Sequence, residues 1–173
     1  MQFYSGFSLK NEAYLFDVFI KKNDYTIAGF SYGAIAALNA TLNAVNSAKR
    51  VDTLQLFSPA FFQTKGEKFK RLQTMAYKKN KRAYMSQFID SCFSPYQNKN
   101  IEQKETILEE LHELLYYEWS LDDLNKIEKS GVKIEVYLGG EDKIIDSKST
   151  KEFFLENSTV TYIKNANHFL QTN

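Results

Sequence analysis

The sequence predicts an α/β protein: about five mostly parallel strands, helices on both faces of the sheet, and a helical insertion. Three observations lead there. Short, β-branched apolar runs alternate with longer helix-forming runs, which is the order of βαβ units. One strand-like run passes into a helix-like one through the glycine-flanked serine of Gly29-Phe30-Ser31-Tyr32-Gly33. A long helical stretch from Thr64 to Ser130 separates the third strand from the fourth, and we expect it to form a lid.

Strand character is found at Gln2–Tyr4, Tyr25–Ala28, Thr53–Phe57, Lys133–Leu138 and Thr159–Ile163. Helices are expected at Glu12–Lys21, Tyr32–Lys49, Lys68–Tyr77, Lys81–Cys92, Ile101–Trp119, Leu121–Ser130 and Ser147–Glu156. Asn23-Asp24 is the turn before the second strand. After Gly33, Ala34-Ile35-Ala36-Ala37-Leu38 is strongly helix-forming, and its small residues let a helix lie close to a sheet. Gln97-Asn98-Lys99-Asn100 reads as a loop between lid helices. Without a repeat or a Pro/Gly-rich linker to divide the chain, residues 1–173 read as one domain with its lid at about 64–130.

With 43% hydrophobic and 25% charged residues, the 173-residue chain has an ordinary globular composition and enough length to bury a core. Its one cysteine, Cys92, permits no internal disulfide; it reads as a small packing residue in a reducing compartment. The opening Met-Gln-Phe-Tyr-Ser-Gly-Phe lacks the basic region and apolar run of a secretory leader. No apolar stretch approaches the roughly 18 residues of a membrane span. The expectation is a cytoplasmic protein with no membrane contact.

Gly29–Gly33 fits G-x-S-x-G, a nucleophile elbow in which serine sits on a sharp strand-to-helix turn. So tight a turn crowds the positions two residues either side, and glycine supplies the room. Ser31 is therefore the candidate nucleophile. A serine hydroxyl is weak until a base takes its proton, and an imidazole base needs a carboxylate to hold its tautomer. In elbow proteins these follow in the order Ser, Asp or Glu, His. There are two histidines. His112, in Glu109-Glu110-Leu111-His112-Glu113, precedes the carboxylates after the fourth strand and reads as structural or solvent-facing. His168, after the fifth strand, is the candidate base. For the acid, Glu141, Asp142 and Asp146 compete just beyond the fourth strand. Asp142, in a Gly-x-x-Asp turn backed by Ile144-Ile145, is preferred, while Glu141 and Asp146 read as loop and helix-capping acids. A tetrahedral intermediate also needs two backbone N–H donors for its oxyanion. Tyr32, next to the nucleophile, and Phe7, in the loop after the first strand, are the candidates.

Charge is unevenly spread. Lys65 to Arg82 carries eight bases against one acid, whereas Ile101 to Ser130 carries nine acids against three bases. On an ideal helix Arg71, Thr74 and Lys78 share one face, and Phe69, Leu72, Met75 and Ala76 another. So basic a segment steers an anionic partner toward the lid. No nucleic-acid-binding motif accompanies it, so nucleic acid is not the expected partner.

Taken in order, five fragments resemble the short pimeloyl-acyl-carrier-protein methyl ester esterases of biotin synthesis, of the BioV type. They are Ser-Gly-Phe (5–7), Gly-Phe-Ser-Tyr-Gly-Ala (29–34), Leu-Phe-Ser-Pro-Ala (56–60), Lys-Ile-Glu-Val-Tyr-Leu-Gly-Gly-Glu-Asp-Lys-Ile (133–144) and Asn-His-Phe-Leu (167–170). The resemblance implies a reduced α/β-hydrolase fold, lacking the first strands and one internal strand. It implies Ser31, Asp142 and His168 as the catalytic set, no cofactor or metal, and a methyl pimeloyl chain delivered on acyl carrier protein. Because such carriers are acidic, Lys70, Arg71, Lys78 and Arg82 are the expected contacts. Phe69, Tyr77, Tyr84 and Phe88 would line a channel for the acyl chain. Two other readings compete: a small carboxylesterase or thioesterase without a carrier, and a degenerate hydrolase fold that only binds.

Overall fold

Side chains alternate along a strand, so a buried sheet needs apolar cover on both faces. The computed structural model describes residues 1–173 and satisfies that need with two cores. Strands β1 (Gln2–Tyr4), β3 (Thr26–Phe30), β4 (Thr53–Phe57), β6 (Lys133–Gly139) and β7 (Thr159–Ile163) form one sheet in that order. Every pair in it is parallel. Ile27, Leu54, Leu56, Ile134, Val136 and Leu138 point to one face. They meet α1 (Tyr32–Asn46), α5 (Leu121–Lys129) and α6 (Ser147–Phe154) through residues such as Leu38, Leu124, Ile127 and Phe154. Ala28, Phe30 and Phe57 point to the other, against Phe16, Phe93 and Phe169.

Four expected strands start at the observed residue, and the expected Tyr25–Ala28 run is observed as Thr26–Phe30, which reaches the elbow. The helix expected at Glu12–Lys21 is shorter, a 3₁₀ turn over Glu12–Phe16. Gln55 intercepts its continuation: the Gln55 side chain accepts from Lys21 N–H at 2.9 Å and donates to the Phe19 carbonyl at 3.0 Å.

The insertion holds α2 (Glu67–Lys79), α3 (Lys81–Phe93), a two-residue strand β5 (Glu102–Gln103) and α4 (Leu108–Tyr116). The expectation of one helix over Ile101–Trp119 is corrected here. Residues 102–103 pair antiparallel with β2 (Leu9–Lys10), and Asn11 brackets Glu102 by accepting from its N–H and donating to its carboxylate. A partner edge thus overrides local helix preference. Within the segment expected as a lid at about 64–130, α5 packs in the sheet layer against α1 and β6.

Candidate active site

The site is built at the carboxyl ends of the strands, where loops after β1, β3, β6 and β7 converge. Ser31 occupies the turn between β3 and α1 at φ 52° and ψ −115°. That conformation strains an L-residue and persists only where its surroundings over-determine it. Here Ser31 N–H donates to the Phe57 carbonyl at 2.9 Å, and the Ser31 carbonyl accepts from Ala34 and Ala60 N–H at 3.1 Å each. The flanking glycines are required by space: a Cβ on Gly29 would lie 2.3 Å from the Gly33 carbonyl oxygen, and one on Gly33 2.2 Å from that of Tyr4.

Ser31, His168 and Asp142 come together although 137 and 26 residues separate the successive partners. His168 Nε2 lies 3.0 Å from Ser31 Oγ, and His168 Nδ1 lies 2.6 Å from Asp142 Oδ2. A carboxylate facing Nδ1 accepts a hydrogen bond from Nδ1–H, which leaves Nε2 to accept from the serine hydroxyl. The other Asp142 oxygen accepts from Ile144 and Ile145 N–H at 2.7 and 3.1 Å, so it is anchored by the turn behind it. His168 is held in turn by Asn167, whose Oδ1 accepts from Phe169 and Gln171 N–H at 3.0 Å each and whose amide donates to the Phe93 carbonyl at 2.7 Å. The ring of Phe30 packs 4.9 Å from the imidazole. The Asp142 and His168 side chains are fully buried, and Ser31 is 2% exposed. A serine hydroxyl, an imidazole and a carboxylate in this line can pass a proton away from oxygen in a water-poor setting.

The competing carboxylates lie elsewhere. Asp146 caps α6, accepting from Lys148 and Ser149 N–H, and the hydrogen bonds from Ser149 hold its carboxyl below the ordinary range. Glu141 faces Lys143. His112 is exposed and stacks on Tyr116 with ring centroids 4.2 Å apart. Cys92 is buried, and burial, with the Asp142 charge adding to it, pushes its thiol well up, away from the reactive thiolate.

Phe7 and Tyr32 flank the elbow, their rings meeting edge to face at 6.3 Å. The Tyr32 hydroxyl donates to Glu113 on α4 at 2.6 Å, and burial together with that carboxylate raises its pKa well beyond the usual phenol value. Under the lid, a cavity of about 540 Å³ lies against the Asp142–Asp146 loop; Phe62, Phe69, Tyr84, Phe88 and Leu114 supply much of its apolar wall. Tyr77 is turned away, its hydroxyl donating to the Thr106 carbonyl at 3.1 Å.

The basic lid needs one correction. Lys70 is 6% exposed and sits with Nζ 4.7 Å from the centre of the Tyr116 ring, so it packs α2 against α4 rather than facing a partner. Arg71, Lys78 and Arg82 are exposed. The expected apolar face is displaced too: Leu72 and Met75 are 53% and 60% exposed, because α2 turns Lys70 and Tyr77 inward instead. Sequence reasoning assigned no role to Glu12 or Asn167, both fully buried polar residues beside the site; Asn167 stands in the Asn-His-Phe-Leu fragment, whereas Glu12 carries no motif. No helix of the chain is long and apolar enough to cross a membrane.

No protein-family model matches the chain, and no curated protein sequence does. Solved structures do resemble it. BioG from Haemophilus influenzae aligns over 98% of this chain and 88% of its own, with a TM-score of 0.58 and 9% identity. Naproxen esterase (carboxylesterase NP) from Bacillus subtilis aligns over 96% of this chain, with a TM-score of 0.53 and 20% identity. Carboxylesterase CesB, also from Bacillus subtilis, aligns over 95%, with a TM-score of 0.54 and 14% identity. The chain spans 62% of the length of each carboxylesterase. Sheet order, elbow and structural neighbours agree: the chain has the α/β-hydrolase fold in a reduced, five-stranded form.

Proposed function

We propose that the protein is a serine esterase that hydrolyses the methyl ester of a pimeloyl chain carried on acyl carrier protein, a step of biotin synthesis. The observation that carries the esterase reading is the buried line Ser31–His168–Asp142, with contacts of 3.0 and 2.6 Å. Ser31 Oγ attacks the ester carbon while its proton moves to His168 Nε2. The oxyanion is held by the Tyr32 and Phe7 N–H groups. Collapse expels the methoxy group, which takes the proton from His168 and leaves as methanol. Water, deprotonated by His168, then attacks the acyl-serine; the free carboxylic acid departs and Ser31 recovers its proton.

The carrier reading rests on the family resemblance, the exposed Arg71, Lys78 and Arg82, and the cavity with a partly apolar wall between the insertion and the Asp142–Asp146 loop. Purified protein should cleave methyl pimeloyl carrier protein faster than shorter or longer homologues. Ser31→Ala should lose at least about a thousandfold in turnover while remaining folded; retained turnover would refute the nucleophile. Arg71→Glu with Lys78→Glu should raise KM for the carrier-bound ester about tenfold or more and leave a small free ester unaffected. Equal effects on both substrates would favour a small-molecule esterase instead.

A further inference from the structure

Glu12 is the one carboxylate that the chain buries beside the site without using it in proton transfer. It is 0% exposed and forms no ion pair, and its Oε2 has no hydrogen-bond partner. Burial raises its pKa, and bonding to Gly6 N–H only partly opposes that. Hiding such a group is costly, so its one strong contact is informative. Glu12 Oε1 accepts from Gly6 N–H at 2.7 Å.

Gly6 opens the loop after β1. Its carbonyl accepts from Leu9 N–H at 3.1 Å, closing a turn through Phe7 and Ser8, the latter at φ 64°. A peptide unit is planar and trans, so fixing the Gly6 carbonyl also fixes the opposed Phe7 N–H. Glu12 holds one side of Gly6 and the turn holds the other. The loop also abuts the nucleophile helix, since a Cβ on Gly33 would strike the carbonyl oxygens of Tyr4 and Ser5. We infer that Glu12 is a positioning residue, one that aims the Phe7 N–H at the oxyanion by gripping the backbone of Gly6. This inference rests on the esterase reading above.

The test compares Glu12→Leu, which removes the grip, with Glu12→Gln, which keeps an acceptor of the same reach, using hydrolysis of a p-nitrophenyl ester by protein shown folded by circular dichroism. Loss of an oxyanion donor costs about 10²–10³ in kcat, and a misaimed donor should cost about 10- to 100-fold. We expect that loss in kcat for Glu12→Leu, with KM changed less than about threefold, and recovery to within about fivefold for Glu12→Gln. A purely structural role would lower the melting temperature and leave kcat per folded molecule alone. Folded Glu12→Leu with wild-type kcat overturns the inference, as does a Glu12→Gln loss as deep as that of Glu12→Leu. Should Glu12→Leu fail to fold, Glu12→Asp, with its carboxylate too short to reach Gly6, takes its place under the same criteria. Failure of both to fold makes Glu12 a stability residue and also overturns the inference. Ser31→Ala is assayed alongside: turnover without Ser31 refutes the esterase reading itself, whereas an inactive Ser31→Ala beside an unimpaired Glu12→Leu refutes only the role of Glu12.

Discussion

Ser31 stands at φ 52° because the backbone on either side leaves it no other place. Such strain costs on the order of 1–3 kcal/mol and is held by the Phe57, Ala34 and Ala60 contacts. The glycines are the weakest point of that arrangement. In Gly33→Ala the new methyl would lie 2.2 and 2.4 Å from the Tyr4 and Ser5 carbonyl oxygens, and both belong to backbone that cannot rotate away. We expect a loss of about 3 kcal/mol or more of stability, together with loss of the esterase activity proposed above. Urea unfolding checks the first, and a wild-type midpoint would show that the elbow has slack. The glycines and Ser31 were legible in sequence because the motif is local. The Asn167 network was not, because its partners at Phe93 and Gln171 are brought together only by folding.

Among elements, the α2–α4 insertion is fastened to the sheet domain at two points, one on the loop after β1 and one at the elbow. The β2–β5 ribbon ties the loop after β1 to the chain between α3 and α4, where Lys104 N–H donates to the Ser8 carbonyl at 2.9 Å and Ser8 Oγ donates to the Lys104 carbonyl at 3.1 Å. The second point is Tyr32, bonded through its hydroxyl to Glu113 on α4. With Ser31 2% exposed, a small molecule reaches it only when covering segments move. Removing the Tyr32 hydroxyl should ease that movement. Tyr32→Phe is expected to speed phosphonate labelling of Ser31 by roughly two- to fivefold, the scale of one exposed hydrogen bond; an unchanged labelling rate would show that α4 does not limit access. The sequence revealed the helices of the lid but not the ribbon. Two-residue strands have no periodicity to detect, and Glu102-Gln103 becomes strand only beside Leu9-Lys10.

Across the whole molecule, two buried glutamates set opposite pH dependences. Glu135 is 5% exposed on the face opposite α1. Burial alone would raise its pKa, but Lys21 at 2.5 Å, Lys133 at 3.0 Å and Tyr137 more than offset that and hold it below the ordinary 4.5. The unfolded chain therefore takes up this proton first on acidification. Glu135 stabilises the fold above about pH 4.5, and that contribution fades as pH falls through its lowered folded value. Glu12, with its raised pKa, acts in reverse, and its contribution declines as pH rises above the ordinary 4.5. Glu135→Gln should cost about 1–3 kcal/mol in urea unfolding at pH 7, with the gap to wild type narrowing progressively as pH falls below the ordinary 4.5. A gap independent of pH would assign the loss to packing instead of charge.

The sequence by itself determined the five sheet strands in their chain order and the glycine-flanked serine turn, and it nominated Ser31, His168 and Asp142, because periodicity, glycine placement and chain order are local or one-dimensional properties. Tertiary structure alone decided which lid charges face outward, since Lys70 and Leu72 differ by two positions on one helix and their burial depends on where α4 lies. It alone brought Glu12 to Gly6 and Tyr32 to Glu113. Contacts of that kind follow from packing direction, which no spacing along the chain encodes.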